Sequence, residues 1–311
     1  MRTEATAPTP AQESTLEVLR RDAEPLVFER DRVDTLIAEF TDAFEHLASR
    51  VEATGGDLFI NKSRLTSVLG CEEQHLNGDA FEWNTRNAVG TVSHRAIELL
   101  VHWRAEIIPA DLVDEAIARL IEAGSGVGPF LAGLREADLA DLRGPCIDAV
   151  VKFLETFPPL DRRWAPVVES SLRWPARGAV TLAGKADLVI GRSAGPESRK
   201  VIIDLKTGGA YPNHLDDLRF YALLETLRTG VPPRKVAGFY LDAGRVVPED
   251  VTLEMLRSAM HRTLDGLGSA VELLEGRSPV KRPQSSCRWC SLNGECEEGI
   301  AHLAELADRY D

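Results

Sequence analysis

Residues 184–209 read GKADLVIGRSAGPESRKVIIDLKTGG and carry the strongest structural pattern of the chain. Two β-branched, apolar runs flank a segment rich in Gly, Pro and Ser, which is the pattern of two strands joined as a hairpin. A symmetric antiparallel hairpin pairs Ile190 with Val201 and therefore places Asp187 opposite Asp204. Directly opposed side chains have Cβ atoms about 4.5 to 5.5 Å apart, so two carboxylates there repel each other unless a cation lies between them. The hairpin thus predicts a cation site.

Lys206 lies on the same strand face as Asp204, because side chains alternate along a strand, while Ile203 and Leu205 point to an apolar side. Mg²⁺ and Mn²⁺ favour carboxylate oxygens, and a neighbouring lysine can stabilise charge on a phosphoryl oxygen or orient a water. This combination indicates phosphodiester hydrolysis. The alternative is an exposed strand face with surface ion pairs. The apolar neighbours argue against it, because an unpaired buried carboxylate is costly.

The rest of the chain predicts a mixed α/β core. Apolar residues recur at the three- and four-residue spacings of amphipathic helices, and short apolar runs between Gly, Pro and Ser indicate strands. The predicted helices cover residues 25–51, 92–107, 111–123, 138–157, 213–228 and 251–275, and the predicted strands cover 164–174, 178–182, 185–191, 200–208 and 235–242. Helices packed on such a sheet define an α/β fold.

The domain organisation is predicted from composition along the chain. Residues 1–22 are rich in Ala, Thr, Pro and Glu without apolar periodicity, so we expect a disordered lead segment. An N-terminal helix is expected within residues 23–58. Residues 59–311 are then expected to form a single domain.

The 311 residues carry 36 basic and 49 acidic side chains, a net charge of −13. This balance argues against a broad cationic surface that coats nucleic acid, and leaves room for a local basic groove. No apolar run approaches the roughly 18 to 20 residues that span a bilayer, and the N-terminus lacks the apolar stretch of a signal peptide. We therefore expect a cytoplasmic protein without a membrane partner, whose five cysteines form no structural disulfides.

Three late cysteines form a C-x2-C-x5-C pattern, and Cys71 lies 216 residues before the first of them (287 − 71). The three are Cys287, Cys290 and Cys296. In a reducing compartment C-x2-C is more often a metal knuckle than a disulfide, but the second knuckle of a zinc ribbon is missing. Zinc and unliganded thiols therefore both remain open. Three basic residues lie near these cysteines, namely Lys281, Arg282 and Arg288. The fifth cysteine, Cys146, is most simply interpreted as a small buried apolar residue.

The hairpin motifs resemble a known family. GKADLVIG followed by VIIDLKTGG resembles motifs II and III of the PD-(D/E)XK nucleases, in particular the RecB-type branch with its G-x-x-D and D-x-K-T-G patterns. GTVSHRAIE resembles motif I, which implies that His94 is a metal ligand on a helix. Glu169 in VVESSL corresponds to the glutamate of the strand before motif II. Tyr221 matches the tyrosine of the Q-x-x-x-Y helix, usually placed near the DNA strand, but Asp217 replaces the glutamine. The resemblance therefore implies Asp217 and Tyr221 as substrate-binding residues. The alternative for Tyr221 is a core aromatic.

The cysteine flanks resemble the iron–sulfur subset of this branch, which includes AddB and CRISPR-associated exonucleases. NKSRLTSVLGC resembles the opening segment and RPQSSCRWCSLNGEC the closing segment. The resemblance implies a [4Fe–4S] cluster held by one early and three late thiolates, which would join the two ends of the nuclease domain. The implied ligands are Cys71, Cys287, Cys290 and Cys296, with Zn²⁺ as the competing metal.

The resemblance implies a restriction-endonuclease-like mixed sheet flanked by helices, with a helical N-terminal part and a C-terminal cysteine-rich segment. It implies a metal-dependent DNA nuclease, with exonuclease action favoured, for DNA processing, repair or defence. His94, Asp187, Asp204 and the Leu205 carbonyl would hold Mg²⁺ or Mn²⁺, Lys206 would stabilise the transition state, and Glu169 would complete the carboxylate set. The expected substrate is DNA that is single-stranded or has a free end.

Two rival functions remain open. The first is a noncatalytic module of the same fold that binds DNA or a helicase, and the second is a zinc-stabilised interaction protein. No G-x-x-x-x-G-K-[ST] motif is present, so any unwinding has to come from a partner helicase.

Overall fold

Helices and strands alternate along the computed structural model, which describes residues 7–175, 177–209, 211 and 213–309. The helices are α1 Pro10–Leu19, α2 Arg30–Ala53, α3 Lys62–Gly70, α4 Glu72–Asn77, α5 Thr85–Leu100, α6 Pro109–Glu122, α7 Gly128–Ala132, α8 Glu136–Thr156, α9 Asn213–Thr229, α10 Leu253–Leu274 and α11 Glu297–Asp308. The strands are β1 Leu58–Ile60, β2 Val167–Trp174, β3 Val180–Ile190, β4 Val201–Lys206, β5 Lys235–Tyr240 and β6 Arg245–Asp250. None of the described helices is both long and apolar enough to cross a membrane.

The strands form one mixed sheet in the order β1-β3-β4-β5-β6, with β2 also paired to β3. β3 and β4 are antiparallel, and Ile190 pairs with Val201 as the hairpin pattern predicts. β4 and β5 are parallel, with α9 between them in the chain, while β5 and β6 are antiparallel and β1 runs parallel to β3. The predicted α/β fold, a mixed sheet flanked by helices, is confirmed.

Several strand predictions need correction. The runs at residues 178–182 and 185–191, predicted as separate strands, belong to the single strand β3. Neither β1 nor β6 is predicted, because β1 has only three residues and β6 contains Pro248. Proline is tolerated in β6 because this strand lies at the end of the sheet order, where an edge strand can lack one backbone donor.

The disordered lead predicted for residues 1–22 is wrong over residues 10–19, which form α1. Thr9 is its N-cap and accepts a hydrogen bond from the N–H of Gln12, whose side chain in turn accepts from the N–H of Thr9. This capping box, with Pro10 in the first turn, compensates for the weak apolar pattern. Residues 1–6 of the predicted lead lie outside the described residues.

The chain divides into two compact units that cut across the predicted single domain over residues 59–311. The first comprises Met1–Val33, Glu82–Leu172 and Lys185–Leu256, and the second comprises Asp34–Phe81, Arg173–Gly184 and Arg257–Asp311. In the first unit the buried face of β4, with Ile203 and Leu205, belongs to one apolar core with residues of α5, α6 and α8. In the second unit the rings of Phe40 and Phe44 pack against Trp174.

Candidate active site and cysteine pocket

Asp187 and Asp204 lie where the β3–β4 hairpin opens, within the first unit. The paired register runs from Ile190–Val201 to Leu188–Ile203, so the two aspartates occupy the next position. An oxygen of Asp187 accepts a hydrogen bond from the backbone N–H of Leu205 at 2.7 Å. The Asp187 side chain is 14% exposed and that of Asp204 only 2%. Two carboxylates are therefore held at the end of a buried hairpin, as the sequence predicts.

α5 brings His94 to this pair. A Cβ atom built on Gly90 would lie 3.0 Å from Oγ1 of Thr207, so the close approach of α5 to the end of β4 favours glycine at that position. His94 lies one helical turn later, and its Nδ1 is 3.4 Å from Oδ1 of Asp187. Burial alone would lower the pKa of His94, but the negative charges of Asp187 and Asp204 outweigh it and the net shift is upward. The carboxylates therefore favour a protonated imidazole.

Lys206 lies between two carboxylates. Its Nζ is 2.7 Å from Oδ2 of Asp204 and 3.5 Å from Oδ2 of Asp217 on α9. Asp217 occupies the place where the resemblance expects glutamine, and a glutamine could not neutralise the lysine charge. The departure from the family pattern thus changes the electrostatics around the lysine. Tyr221, one turn further along α9, is buried, with 2% of its surface exposed.

Glu169 is on β2 and is partly exposed. Its carboxylate forms an ion pair with Lys185 of β3. Its backbone φ of 52° lies in the left-handed region, which non-glycine residues rarely adopt. The contact observed for Glu169 is with Lys185, so its position in the carboxylate set stays a prediction.

Three further polar residues near the site were not predicted. Lys185 is the ion-pair partner of Glu169. Tyr240 pairs with Lys206 in the β4–β5 register, and its hydroxyl lies 3.2 Å from Nδ1 of His214. Burial raises the pKa of Tyr240, and the charge of Asp204 raises it further. Side-chain alternation along β5 could have identified Tyr240, but the contact with His214 depends on where α9 packs.

The donor set suits a hard divalent cation, since it offers two carboxylates, an imidazole and the carbonyl of Leu205. In the arrangement described, Lys206 and His94 lie against the carboxylates instead. Among the described residues, no group of three or more His, Cys, Asp and Glu side chains is arranged to hold a metal ion. The residue types at the site nevertheless fit a hard divalent cation, with Lys206 beside them.

The four predicted cluster cysteines line one pocket in the second unit. Cys71 lies at the junction of α3 and α4, and the three late cysteines lie between α10 and α11. All four are partly exposed, and the backbone N–H of Gln284 donates to Sγ of Cys287 at 3.3 Å. Four thiols on one pocket match the donor set of an iron–sulfur cluster or of zinc. They are not drawn together at the distances of a metal site.

Cys146 is separate from these four. It is completely buried in the core of the first unit, as predicted, and its Sγ lies 3.7 Å from the carbonyl oxygen of Val89. Burial raises the pKa of the Cys146 thiol to about 11, despite the opposing effect of a hydrogen bond with Ser93. Cys146 is therefore an unreactive core residue.

The basic residues beside the cysteine pocket are partly neutralised. Lys281 forms an ion pair with Glu298 at 2.9 Å, and Arg282 forms one with Glu72 at 3.0 Å. The guanidinium of Arg288 lies over the ring of Trp289, 5.1 Å from its centroid. The positive charge beside the cysteine pocket is therefore smaller than the three basic residues of the sequence alone would give.

Comparison with known proteins identifies the family. A crystal structure named "Putative exonuclease" from Eubacterium rectale aligns with a TM-score of 0.45 and 13% identity, over 81% of this chain and 90% of that chain. No curated protein matches the chain. The sequence model of the PD-(D/E)XK nuclease superfamily matches residues 63–297, which include every predicted site residue. This match covers well over half of the 311 residues, and the chain therefore belongs to the PD-(D/E)XK nuclease superfamily.

Proposed function

We propose that this protein is a metal-dependent DNA nuclease. The observation that carries the proposal is the contact network of Asp187, Asp204 and Lys206 at the open end of the hairpin, in a chain of the PD-(D/E)XK nuclease superfamily. Two carboxylates and a lysine at one end of the β3–β4 hairpin match the requirements of phosphodiester hydrolysis better than those of a structural ion pair, because Asp204 and Lys206 are both largely buried.

The metal ligands would be His94, Asp187, Asp204 and the carbonyl oxygen of Leu205. When bound there, Mg²⁺ or Mn²⁺ supplies positive charge for the scissile phosphate and lowers the pKa of water. Asp187 is oriented for this role by the N–H of Leu205. Lys206, which lies beside Asp204, would donate to a phosphoryl oxygen or hold the attacking water. Glu169 would add a further carboxylate, directly or through water.

Asp217 and Tyr221 are the two residues of α9 that the family resemblance places on the substrate side, and they would act there in different ways. Asp217 reaches Lys206 from α9, so it can restrain the lysine while the phosphate is absent. Tyr221 is buried and would act by fixing α9 rather than by touching the DNA. We propose DNA with a single strand or a free end as the substrate, cut as an exonuclease in repair or defence. A helicase partner and a cytoplasmic location belong to the same proposal.

We propose a [4Fe–4S] cluster on the four cysteines of the pocket, because their number and common lining suit it. Zn²⁺ is the alternative, since four thiolates also suit tetrahedral zinc. Protein purified without oxygen should be brown and contain about four irons per chain in the first case. Colourless protein with one zinc and no iron would establish the second.

A noncatalytic DNA- or helicase-binding module is the second candidate function. The observation that favours it is that Asp204 forms an ion pair with Lys206 and Asp187 lies against His94. A cleavage assay distinguishes the nuclease from the noncatalytic module. The protein is incubated with single- or double-stranded DNA labelled at either end, in Mg²⁺, in Mn²⁺ or in a chelator. Metal-dependent release of short products from one end supports the exonuclease, whereas binding without cleavage in either metal would support the module.

A further inference from the structure

Glu72, the residue directly after Cys71, has a buried carboxylate with several hydrogen-bond partners in the second unit. Glu72 is fully buried. It accepts hydrogen bonds from Nη1 of Arg277 at 2.9 Å, Nη2 of Arg282 at 3.0 Å and the backbone N–H of Val280 at 2.8 Å. We call Glu72 with these three partners the Glu72 clamp. Hydrogen bonds from charged donors to a buried carboxylate are among the stronger contacts in proteins.

The clamp joins two segments that are more than 200 residues apart in sequence. The backbone N–H of Glu72 donates to the carbonyl oxygen of Val280 at 3.2 Å, so Glu72 and Val280 are joined in both directions. Arg282 also donates to the carbonyl oxygen of Val68 on α3 at 3.3 Å. The start of α4 is thereby fixed against the segment that leads into the late cysteines.

The position of Cys71 follows from these contacts. Cys71 is the residue shared by the end of α3 and the start of α4, so it has little freedom once Val68 and Glu72 are both tied to the same segment. Gln284, three residues before Cys287, lies against Gly70, since a Cβ built there would be 3.4 Å from the Gln284 amide nitrogen. None of these contacts involves a thiol. The early and late cysteines are therefore brought to one pocket by protein groups alone.

Closing a loop of about 200 residues costs several kcal/mol of chain entropy, and some interaction has to offset it before a metal can meet all four thiols. We propose that Glu72 is a positioning residue that assembles the four-cysteine pocket before any metal binds. The inference rests on the proposed cysteine site. It adds that the early and late cysteines already line one pocket before metal binds, so that metal has only to bring the four thiols of that pocket together.

The first test uses metal-free full-length protein and a short bifunctional maleimide, with cross-linked peptides identified by mass spectrometry. Wild-type protein should cross-link Cys71 to a late cysteine about tenfold faster than Glu72→Gln, because the variant lowers the effective concentration of one thiol near the others. Glu73→Gln is the matched control. Glu73 lines the same pocket but accepts from Asn77 and from no arginine of the clamp, so this variant should behave like wild type.

A monofunctional maleimide serves as the control for the reactivity of a single thiol. It should react with Cys71 at the same rate in wild type and in Glu72→Gln. Equal cross-linking in both proteins would overturn the inference, since the pocket would then assemble without the clamp. If Glu72→Gln does not fold, Arg282→Gln can replace it, because this variant removes one hydrogen-bond donor to Glu72 and keeps the others. Cross-linking should again be slower than in wild type, but by a smaller factor. An unchanged rate in that variant would equally overturn the inference.

The second test is anaerobic titration of the metal-free protein with Co²⁺, whose thiolate charge-transfer and d–d absorption report the number of bound thiolates. Wild type and Glu73→Gln should give a four-thiolate spectrum, and Glu72→Gln a weaker spectrum with a higher dissociation constant. A four-thiolate spectrum of unchanged affinity in Glu72→Gln would contradict the role of Glu72. Absence of thiolate binding in wild type would refute the cysteine site itself, while the cross-linking rates would still decide whether Glu72 assembles the pocket.

Discussion

Glu169 combines a strained backbone with a carboxylate proposed for the active site. A left-handed conformation costs a non-glycine residue roughly 1 to 2 kcal/mol, and glycine avoids most of this cost. Glu169→Gly should therefore be more stable than Glu169→Ala by about 1 kcal/mol in urea unfolding. Both variants should lose DNA cleavage to the same extent, because both lack the carboxylate.

The two substitutions separate strain from chemistry. A glycine variant no more stable than the alanine variant would show that the backbone leaves the left-handed region once the carboxylate is removed, so that the Glu169 side chain, and not the surroundings of β2, imposes the conformation. Wild-type cleavage by either variant would remove Glu169 from the proposed carboxylate set.

Cys146 should be the unreactive thiol among the five cysteines. A thiol with a pKa of about 11 is ionised in roughly one molecule in a thousand at pH 8, and burial restricts access further. Because the pKa is raised, reactivity should stay low at neutral pH and appear only as the pH approaches 11 or the protein unfolds. Iodoacetamide at pH 8 should thus modify the four pocket cysteines of metal-free protein and spare Cys146. Alkylation of Cys146 as fast as Cys290 would contradict its burial.

Individual site residues were predictable from the sequence where strand alternation or a motif determines their place. Asp187, Asp204 and Lys206 follow from the hairpin register, which the structure reproduces. The 3.5 Å approach of Asp217 to Lys206 was not predictable, because it depends on the packing of α9. The same reason applies to the contact between His214 and Tyr240.

At the scale of elements, α1 provides the caps that the C-terminus of α8 lacks. Thr9 donates to the carbonyl of Glu155, Gln12 to that of Leu154, and Thr15 to that of Thr156. The last carbonyls of a helix have no partner within the helix, so these side chains satisfy groups that would otherwise need water. α1 is therefore held by polar contacts as well as by the burial of Leu19.

Gln12→Ala should lower the free energy of unfolding by about 1 kcal/mol, because it removes the hydrogen bond to Leu154 and the reciprocal half of the capping box. Chemical denaturation measures the change. Glu17→Ala on the exposed face of α1 is the matched control and should stay within about 0.5 kcal/mol of wild type. Equal stability of wild type and Gln12→Ala would show that α1 does not support α8.

Long, strongly periodic elements were predicted well, and short or capped ones were not. The helices at residues 138–157 and 251–275 correspond to α8 and α10 within a few residues. α1 has a weak apolar pattern and is defined by its cap, and β1 is too short for any period to show. β3 continues through Gly184 because strand pairing on both sides of that residue outweighs the low strand preference of glycine.

At the scale of the whole molecule, the chemistry is divided between the two units. The proposed catalytic residues lie in the first unit and the four pocket cysteines in the second. The order of the site residues along the chain, from Cys71 to Cys296, was predictable from the family resemblance, and the opposition of Asp187 and Asp204 was predictable from the hairpin register. The distances between these residues and side chains of other elements were not predictable. The hairpin pattern alone contains no His94, so strand alternation could not give the 3.4 Å approach of its Nδ1 to Oδ1 of Asp187.

Metal-dependent nuclease action at Asp204 can be tested by comparing DNA cleavage by wild type and by Asp204→Asn in Mg²⁺, in Mn²⁺ and in a chelator. Asn keeps the shape of Asp204 but removes the charge that a cation needs. Asp250→Asn, on the exposed edge strand β6, is the matched control and should cleave like wild type. We expect metal-dependent cleavage by wild type and a loss of about two to three orders of magnitude in Asp204→Asn, with its thermal unfolding still cooperative. Cleavage at the wild-type rate in Asp204→Asn, or in the chelator, would contradict the account.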